Sequence, residues 1–334
     1  MRTTIYETAQ GLASLLGYGT VAGIEQVNMA GDERGWSGAE VVRKMVSFQD
    51  GSSKHMVFKS AGRSERCAMK LLTEQRQCTP AAYSQDIISS GPEWMAMEDL
   101  GPRQAPNPED HMWLRKVAKG LASIHAANMG KENDMPWLPT ADETYWNSVV
   151  TQLSVAHFER RVEEDPAFAH KFGEYLPRLQ DAGRIFANDM AALYREKEFL
   201  TLTHGDLQMR DGVHIYHCDG APRIIDFGFC RYAPFYIDLA GWFTADDIRI
   251  YYDELTSHGI FLRYSDFEER ARAAFRYNGF IYLCPSVMDW RDSPDGQTGK
   301  RLLQSLKIIL SGDFPERRIQ YSEQLFQKLA REFQ

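Results

Sequence analysis

Several things are scarce in this chain, and each scarcity removes a class of function. Cysteine is sparse and unpaired in pattern. The five residues Cys67, Cys78, Cys218, Cys230 and Cys284 are odd in number, and none forms a Cys-x-x-Cys pair. That excludes a disulfide framework and speaks against a structural zinc site. Long apolar runs are absent too. No stretch reaches the ~18–20 consecutive apolar residues that a spanning helix needs. The N-terminal segment 1–16 carries Glu7 and Gln10 inside it, so neither a signal peptide nor a spanning helix is expected, and the expected location is cytoplasmic. Positive charge is in deficit: the formal net charge is −8. That argues against nucleic acid and anionic membrane as partners and suits a cationic ligand. No internal repeat and no low-complexity tract interrupts the chain. What remains is 334 residues, 43% hydrophobic and 25% charged, an ordinary composition for one large or two modest globular domains.

The pattern along the chain divides in two. Residues 21–60 read as strands. Val41–Phe48 and His55–Lys59 flank Gln49-Asp50-Gly51-Ser52, a turn sequence containing Asp-Gly, which predicts a β-hairpin. Residues 65–77 have helical spacing and stop short of Pro80. Trp94-Met95-Ala96-Met97 is a short strand ending at Glu98-Asp99-Leu100-Gly101. Residues 101–111 are rich in Pro, Asn and Asp and read as a connector. Helices are then expected over 111–128, 145–160 and 170–198, short strands over 200–228, and helices again from 235, with breaks at Pro285 and Pro315. The expected architecture is α+β, with a β-rich N-lobe over 1–100 and a mainly helical C-lobe over 101–334.

The chemistry concentrates at two short apolar segments that each end in an aspartate. The first is Thr203-His204-Gly205-Asp206-Leu207; the second is Ile224-Ile225-Asp226-Phe227-Gly228. Phosphoryl transfer from a nucleotide asks for two such carboxylates. One orients the acceptor hydroxyl and takes its proton, and the other holds Mg²⁺. One aspartate alone would be an ordinary turn residue; two, with these neighbours, are harder to dismiss. Lys59 ends an apolar strand and can carry an ammonium to phosphate oxygens, although a strand-end lysine in solvent is the competing reading. Glu65 opens the next helix and is preferred as the partner of Lys59, with Glu74 as the rival. Gly35-Trp36-Ser37-Gly38 offers backbone N–H groups and the Ser37 hydroxyl to phosphates, or is a plain turn. Glu98 and Leu100 lie where a hinge would meet an adenine edge. Asp238, in Tyr236-Ile237-Asp238-Leu239-Ala240, is expected to cap a helix or to brace the Asp206 loop by accepting backbone N–H bonds. His125 and His204 read as structural. Asp246 and Asp247, with Asp253 and Glu254, are candidates for a cationic acceptor, against a solvated helix face.

His-Gly-Asp-Leu, then Ile-Asp-Phe, then Asp-Leu-Ala resembles the aminoglycoside phosphotransferase and choline kinase superfamily of protein-kinase-like small-molecule kinases. Lys59, the segment Met97-Glu98-Asp99-Leu100 and Leu121-Ala122-Ser123-Ile124-His125-Ala126 match in order, and the resemblance spans about residues 20–245. It implies a bilobal kinase fold, ATP (with GTP as the alternative) and Mg²⁺ as cofactors, and transfer to a small-molecule hydroxyl. It assigns the catalytic base to Asp206, metal binding to Asp226 and phosphate binding to Lys59. The expected acceptor is an antibiotic such as an aminoglycoside; choline, a sugar or an amino alcohol is the alternative. A monomer or homodimer is expected. One departure stands out. The family's Asn five residues after the base is Asp211 here, a second candidate metal ligand with an extra negative charge. That substitution opens a third reading, a nucleotide-binding pseudokinase.

Overall fold

The computed structural model describes residues 4–27, 39–101, 110–207, 214–240, 243–292, 294 and 296–314. The chain divides into two compact units, Met1–Asn107 with Pro136–Leu138 and His214–Cys230, and Pro108–Met135 with Pro139–Val213 and Arg231–Gln334. This differs from a single cut at residue 100. The segment carrying Asp226 groups with the N-terminal unit, while Asp206 belongs to the other.

The first unit is built on a five-stranded antiparallel sheet in the order β1-β2-β3-β5-β4. Its strands are β1 (Val21–Gln26), β2 (Val41–Phe48), β3 (Ser53–Ala61), β4 (Ala82–Tyr83) and β5 (Glu93–Glu98). The expected hairpin joins β2 and β3. Gly51 takes φ 84° in its turn, and Asp50 Oδ1 accepts from Ser52 N at 2.9 Å. Strand alternation gives β3 two uses. Met56 and Phe58 are buried in one core with Ala9, Leu12 and Ala13 of helix α1 (Ile5–Leu15). Lys59 and Ala61 face the other way, toward helix α2 (Arg63–Glu74).

Helix α1, which is not among the elements expected from the sequence, starts with a capping box: Thr4 Oγ1 accepts from Glu7 N, and Glu7 reaches back to Thr4 N. It lies so close to β4 that a Cβ on Gly11 would fall 2.0 Å from the Tyr83 ring. A two-stranded hairpin, β7 (Ile215–Cys218) and β8 (Ala221–Ile224), completes the unit. Ile224 N donates to Cys78 O at 2.7 Å and ties it down.

Among the described residues, the second unit is helical apart from the pair β6 (Leu200–Thr203) and β9 (Arg231–Pro234). Its helices are α3 (His111–Asn128), α4 (Glu143–Val150), α5 (Ala156–Glu164), α6 (Pro166–Phe172), α7 (Leu176–Arg195), α8 (Ile248–Ser257), α9 (Tyr264–Ala274), α10 (Tyr277–Asp292) and α11 (Gly296–Ser311). Asp110 caps α3 through Met112 N and Trp113 N, and Asp165 caps α6 with Pro166 in its first turn. Between α4 and α5 the helix widens to a π-turn over Thr151–Val155, where buried Ser154 Oγ donates to Val149 O and Phe280 O. Trp146 packs edge-on against Phe186 and Tyr277 in the core.

The expected break at Pro285 does not occur, because α10 runs through it. Pro285 has no N–H, so one helical bond is lost there. Ser286 Oγ donates back to Tyr282 O at 2.8 Å, and the helix is held along α11. A Cβ on Gly279 would fall 2.6 Å from Ile309 and 3.0 Å from Ser305 O, so the two helices approach closely. Pro315 lies outside the described residues. Among the described residues, no helix is long and apolar enough to cross a membrane.

Candidate active site

In the first unit, Lys59 Nζ lies 2.7 Å from Glu65 Oε1 and 2.5 Å from Asp226 Oδ1. Three separate pieces of local structure create this triad. Strand β3 aims Lys59 away from the Met56–Phe58 face, the first turn of α2 presents Glu65, and the stretch after β8 presents Asp226. Glu74, the rival partner, pairs instead with Lys70 on its own helix. Burial lowers the affinity of Lys59 for its proton, but the Glu65 and Asp226 carboxylates outweigh it, and the pKa ends above the ordinary lysine value. Burial pushes Glu65 the other way from a normal surface glutamate, raising its pKa, with Lys59 opposing and Asp226 reinforcing. Two carboxylates thus share one ammonium.

Asp226 adopts the left-handed conformation, φ 67° and ψ 61°. A non-glycine residue there costs about 1–2 kcal/mol. The strain places its carboxylate at an opening: 41% of the Asp226 side chain is exposed, against 5% for Glu65. Gly228 keeps that approach clear, since a Cβ there would lie 3.3 Å from Asp226 Oδ1 and 3.7 Å from Glu65 Oε2. An accessible hard carboxylate beside a fixed ammonium, with space in front, fits Mg²⁺ and nucleotide phosphates. His214 Nε2 stands 4.0 Å from Asp226 Oδ2, a neighbour the sequence reading did not single out. Asp211 and Ser37 lie outside the described residues, as does the stretch around Gln208 and Arg210. Among the described residues, no group of three metal-ligating side chains forms.

The hinge residues are more engaged than expected. Glu98 N donates to Ala81 O and Glu98 Oε2 accepts from Ala81 N at 2.6 Å, so the Glu98 side chain serves the β4 edge. Asp99 pairs with Arg43 and accepts from Gly101 N at 2.9 Å. Leu100 remains half-buried at the strand end.

In the second unit, the loop after β6 carries half-buried Asp206, and a fully buried carboxylate holds that loop. Asp238 Oδ2 accepts from His204 N at 2.6 Å and Oδ1 from Gly205 N at 2.9 Å. The brace expected of Asp238 is therefore present. His125 Nε2 lies 3.1 Å from Asp238 Oδ2, while its Nδ1 lies 2.7 Å from Tyr251 Oη. His204 Nδ1 accepts from Asp206 N at 3.2 Å. Both histidines are thus structural in their contacts. The sequence reading missed two tyrosines of α10. Tyr277 Oη donates to Gly205 O at 2.7 Å, and Tyr282 Oη donates to Asp206 Oδ1. No local motif marks them, because they lie more than seventy residues further along the chain.

The acceptor candidates separate. Asp246 is exposed at the start of α8. Asp247 is 5% exposed, and its Oδ2 accepts from Thr244 Oγ1 at 2.8 Å. It closes a turn, which corrects its expected role in acceptor binding. Asp253 pairs with Arg249 one helical turn away.

A family model described as the phosphotransferase enzyme family matches residues 55–275, about two thirds of the chain. Solved structures share the fold at low identity. A spectinomycin phosphotransferase, solved with ADP and spectinomycin, aligns at TM-score 0.54 and 12% identity, covering 91% of this chain and 98% of its own. Ethanolamine kinase from Plasmodium vivax aligns at 0.55 and 13%, covering 81% of each chain. An aminoglycoside phosphotransferase from Alicyclobacillus acidocaldarius aligns at 0.51 and 12%, covering 92% and 93%. No curated protein matches the chain by sequence. With the Lys59–Glu65–Asp226 triad and the braced Asp206 loop, the match shows that this chain belongs to the phosphotransferase enzyme family and is a small-molecule phosphotransferase of kinase-like α+β fold.

Proposed function

We propose that the protein transfers the γ-phosphoryl group of ATP to a hydroxyl of a small amine-bearing molecule, with an aminoglycoside-type antibiotic as the first candidate. The observation that carries the nucleotide half of this reading is Lys59, 8% exposed and bonded to both Glu65 and Asp226. A lysine buried at the cost of desolvation and held by two carboxylates is poised for an anion. Lys59 would hold nucleotide phosphates, and Asp226 would hold Mg²⁺. The metal, when bound, neutralises charge developing on the phosphate oxygens. Glu65 keeps the Lys59 ammonium in place. Asp206 would align the acceptor hydroxyl and accept its proton. The amine-bearing acceptor is favoured by the net charge of −8 and exposed Asp246.

The spectinomycin phosphotransferase and ethanolamine kinase of similar fold motivate the choice of acceptors to test. Full-length protein would be incubated with Mg·ATP and separately with aminoglycosides, spectinomycin, choline, ethanolamine and sugars, and ADP release followed. Release above an Asp206→Ala control with an aminoglycoside supports the proposal. Release only with choline, ethanolamine or a sugar would move it to a metabolite kinase. Nucleotide binding without release for any acceptor, restored by Asp211→Asn, would leave the pseudokinase reading.

A further inference from the structure

The Asp206 loop is gripped from two directions. Asp238 takes its backbone N–H groups, and α10 supplies two phenols, Tyr277 to Gly205 O and Tyr282 to the Asp206 carboxylate itself. The position of α10 is enforced independently. Ser154 Oγ of the π-turn donates to Phe280 O at 2.7 Å, and Gly279 lets α11 approach to backbone contact. Tyr277 is fully buried, and burial raises its pKa well above the ordinary tyrosine value, so it stays a donor to Gly205 O. Tyr282 follows Phe280 by two residues on this fixed helix, and its hydroxyl meets Asp206 Oδ1.

We infer that Tyr282 is a positioning residue for phosphoryl transfer: its phenol donates to Asp206 Oδ1 and sets the rotation of the carboxylate that receives the acceptor proton. This rests on Asp206 being the base, as proposed above. The physical reason is the sensitivity of general-base catalysis to geometry. An aspartate side chain turns about two bonds, and a hydrogen bond to a charged carboxylate oxygen is among the stronger orienting contacts available. An error of about 1 Å at a reacting group can cost ~10²-fold in rate. The Asp238 brace acts on the loop backbone, at His204 N and Gly205 N. Tyr282 acts on the carboxylate directly.

The test uses full-length protein and separates the inference from the reading beneath it. Turnover is read as ADP release from Mg·ATP, with water and with the best acceptor from the panel. Nucleotide affinity is read by calorimetry. The expected result is that Tyr282→Phe lowers kcat ~10–10²-fold while acceptor KM and nucleotide affinity stay within about twofold. Replacing Tyr282 with p-aminophenylalanine, which restores a para N–H donor, recovers most of the loss. In protein carrying 3-fluorotyrosine, the ¹⁹F resonance that Tyr282→Phe removes shifts in Asp206→Asn. Unchanged kcat in Tyr282→Phe, a higher kcat, or a loss shared equally with nucleotide binding and thermal stability would overturn the inference. A fluorine resonance indifferent to Asp206→Asn would do the same. Full turnover in Asp206→Ala would instead overturn the assignment of the base.

Discussion

Lys59 Nζ lies 2.7 Å from Glu65 Oε1, and both side chains are almost wholly buried. The pair is separated by only six residues, yet it joins strand β3 to helix α2. Removing one partner of a buried pair leaves a charge with neither water nor counter-ion, a loss of about 3–5 kcal/mol. Lys59→Met is therefore expected to lower stability by about that amount in urea titrations, leaving Glu65 and Asp226 to repel each other. Lys59→Met combined with Glu65→Leu is expected to regain part of the loss. Both variants should bind nucleotide weakly, because the phosphate-directed ammonium is gone. A Lys59→Met protein as stable as the wild type would mean the pair is not formed in solution.

Four tyrosines make the protein sensitive to alkali. Burial raises Tyr232 to about 12 and raises Tyr236, Tyr251 and Tyr277 well above the ordinary value of 10.0. The sign follows directly. Below pH 10 the phenols are protonated folded or unfolded, and their contribution is constant. Above it, unfolded tyrosines ionise and folded ones do not, so stability falls by about 1.4 kcal/mol per pH unit per tyrosine. Denaturation curves at pH 8, 9, 10 and 11 should be flat at first and then drop. Tyr236→Phe should make the drop shallower by one residue's share, and an identical slope would contradict the assignment.

Asp238 is fully buried and accepts from His204 N, Gly205 N and the His125 ring. Asp238→Ala leaves those donors without their acceptor, each worth ~1–3 kcal/mol when buried. Stability and kcat should fall together. Asp206→Ala should lower kcat ~10²–10⁴-fold with the fold intact. Thermal melting beside turnover separates the two, and an Asp238→Ala protein with native melting behaviour would count against the brace.

The Arg66 side chain is fully buried and is held by backbone carbonyls. Its guanidinium donates to Asp86 O, Ser89 O and Gly91 O, and to Ala61 O at the end of β3. Burial lowers its pKa below the ordinary arginine value. It acts as a clip for residues 84–91, with a planar fork that lysine cannot copy. Arg66→Lys is expected to destabilise by about 2 kcal/mol or more and to speed proteolytic cleavage within 84–91. An unchanged cleavage pattern would show that the clip is not needed.

Local signals were readable in the chain wherever one short stretch contains the whole physical reason. Gln49–Ser52 specifies the β2–β3 hairpin because Asp50 and Gly51 supply the turn's hydrogen bond and its positive φ. For Asp238 the sequence left a helix cap and a brace both open, and only the packing that brings it to His204 N and Gly205 N decides for the brace. Pro285 misled because packing against α11 compensates for one lost helical bond. Helix α1 is absent from the expected elements although Thr4-x-x-Glu7 is a capping-box sequence, and Gly11 inside it is required where the helix meets Tyr83. Asp247 reads as a surface acid in the sequence, because its burial against Thr244 depends on the turn before α8.

The identities of Lys59, Asp206 and Asp226, and the chemistry they suit, follow from residue type and local pattern. A strand-ending lysine and two strand-ending aspartates carry that information within a few neighbours each. Which glutamate meets Lys59, and that Asp226 takes a left-handed backbone beside an open approach, depend on how β3, α2 and the β7–β8 hairpin pack. Tyr282 depends on it most. Its hydrogen bond to Asp206 joins residues 76 apart in sequence, and such a contact exists only once α10 has been locked by Ser154, Gly279 and Tyr277. Periodicity reports which face of an element is buried, but not what that face meets.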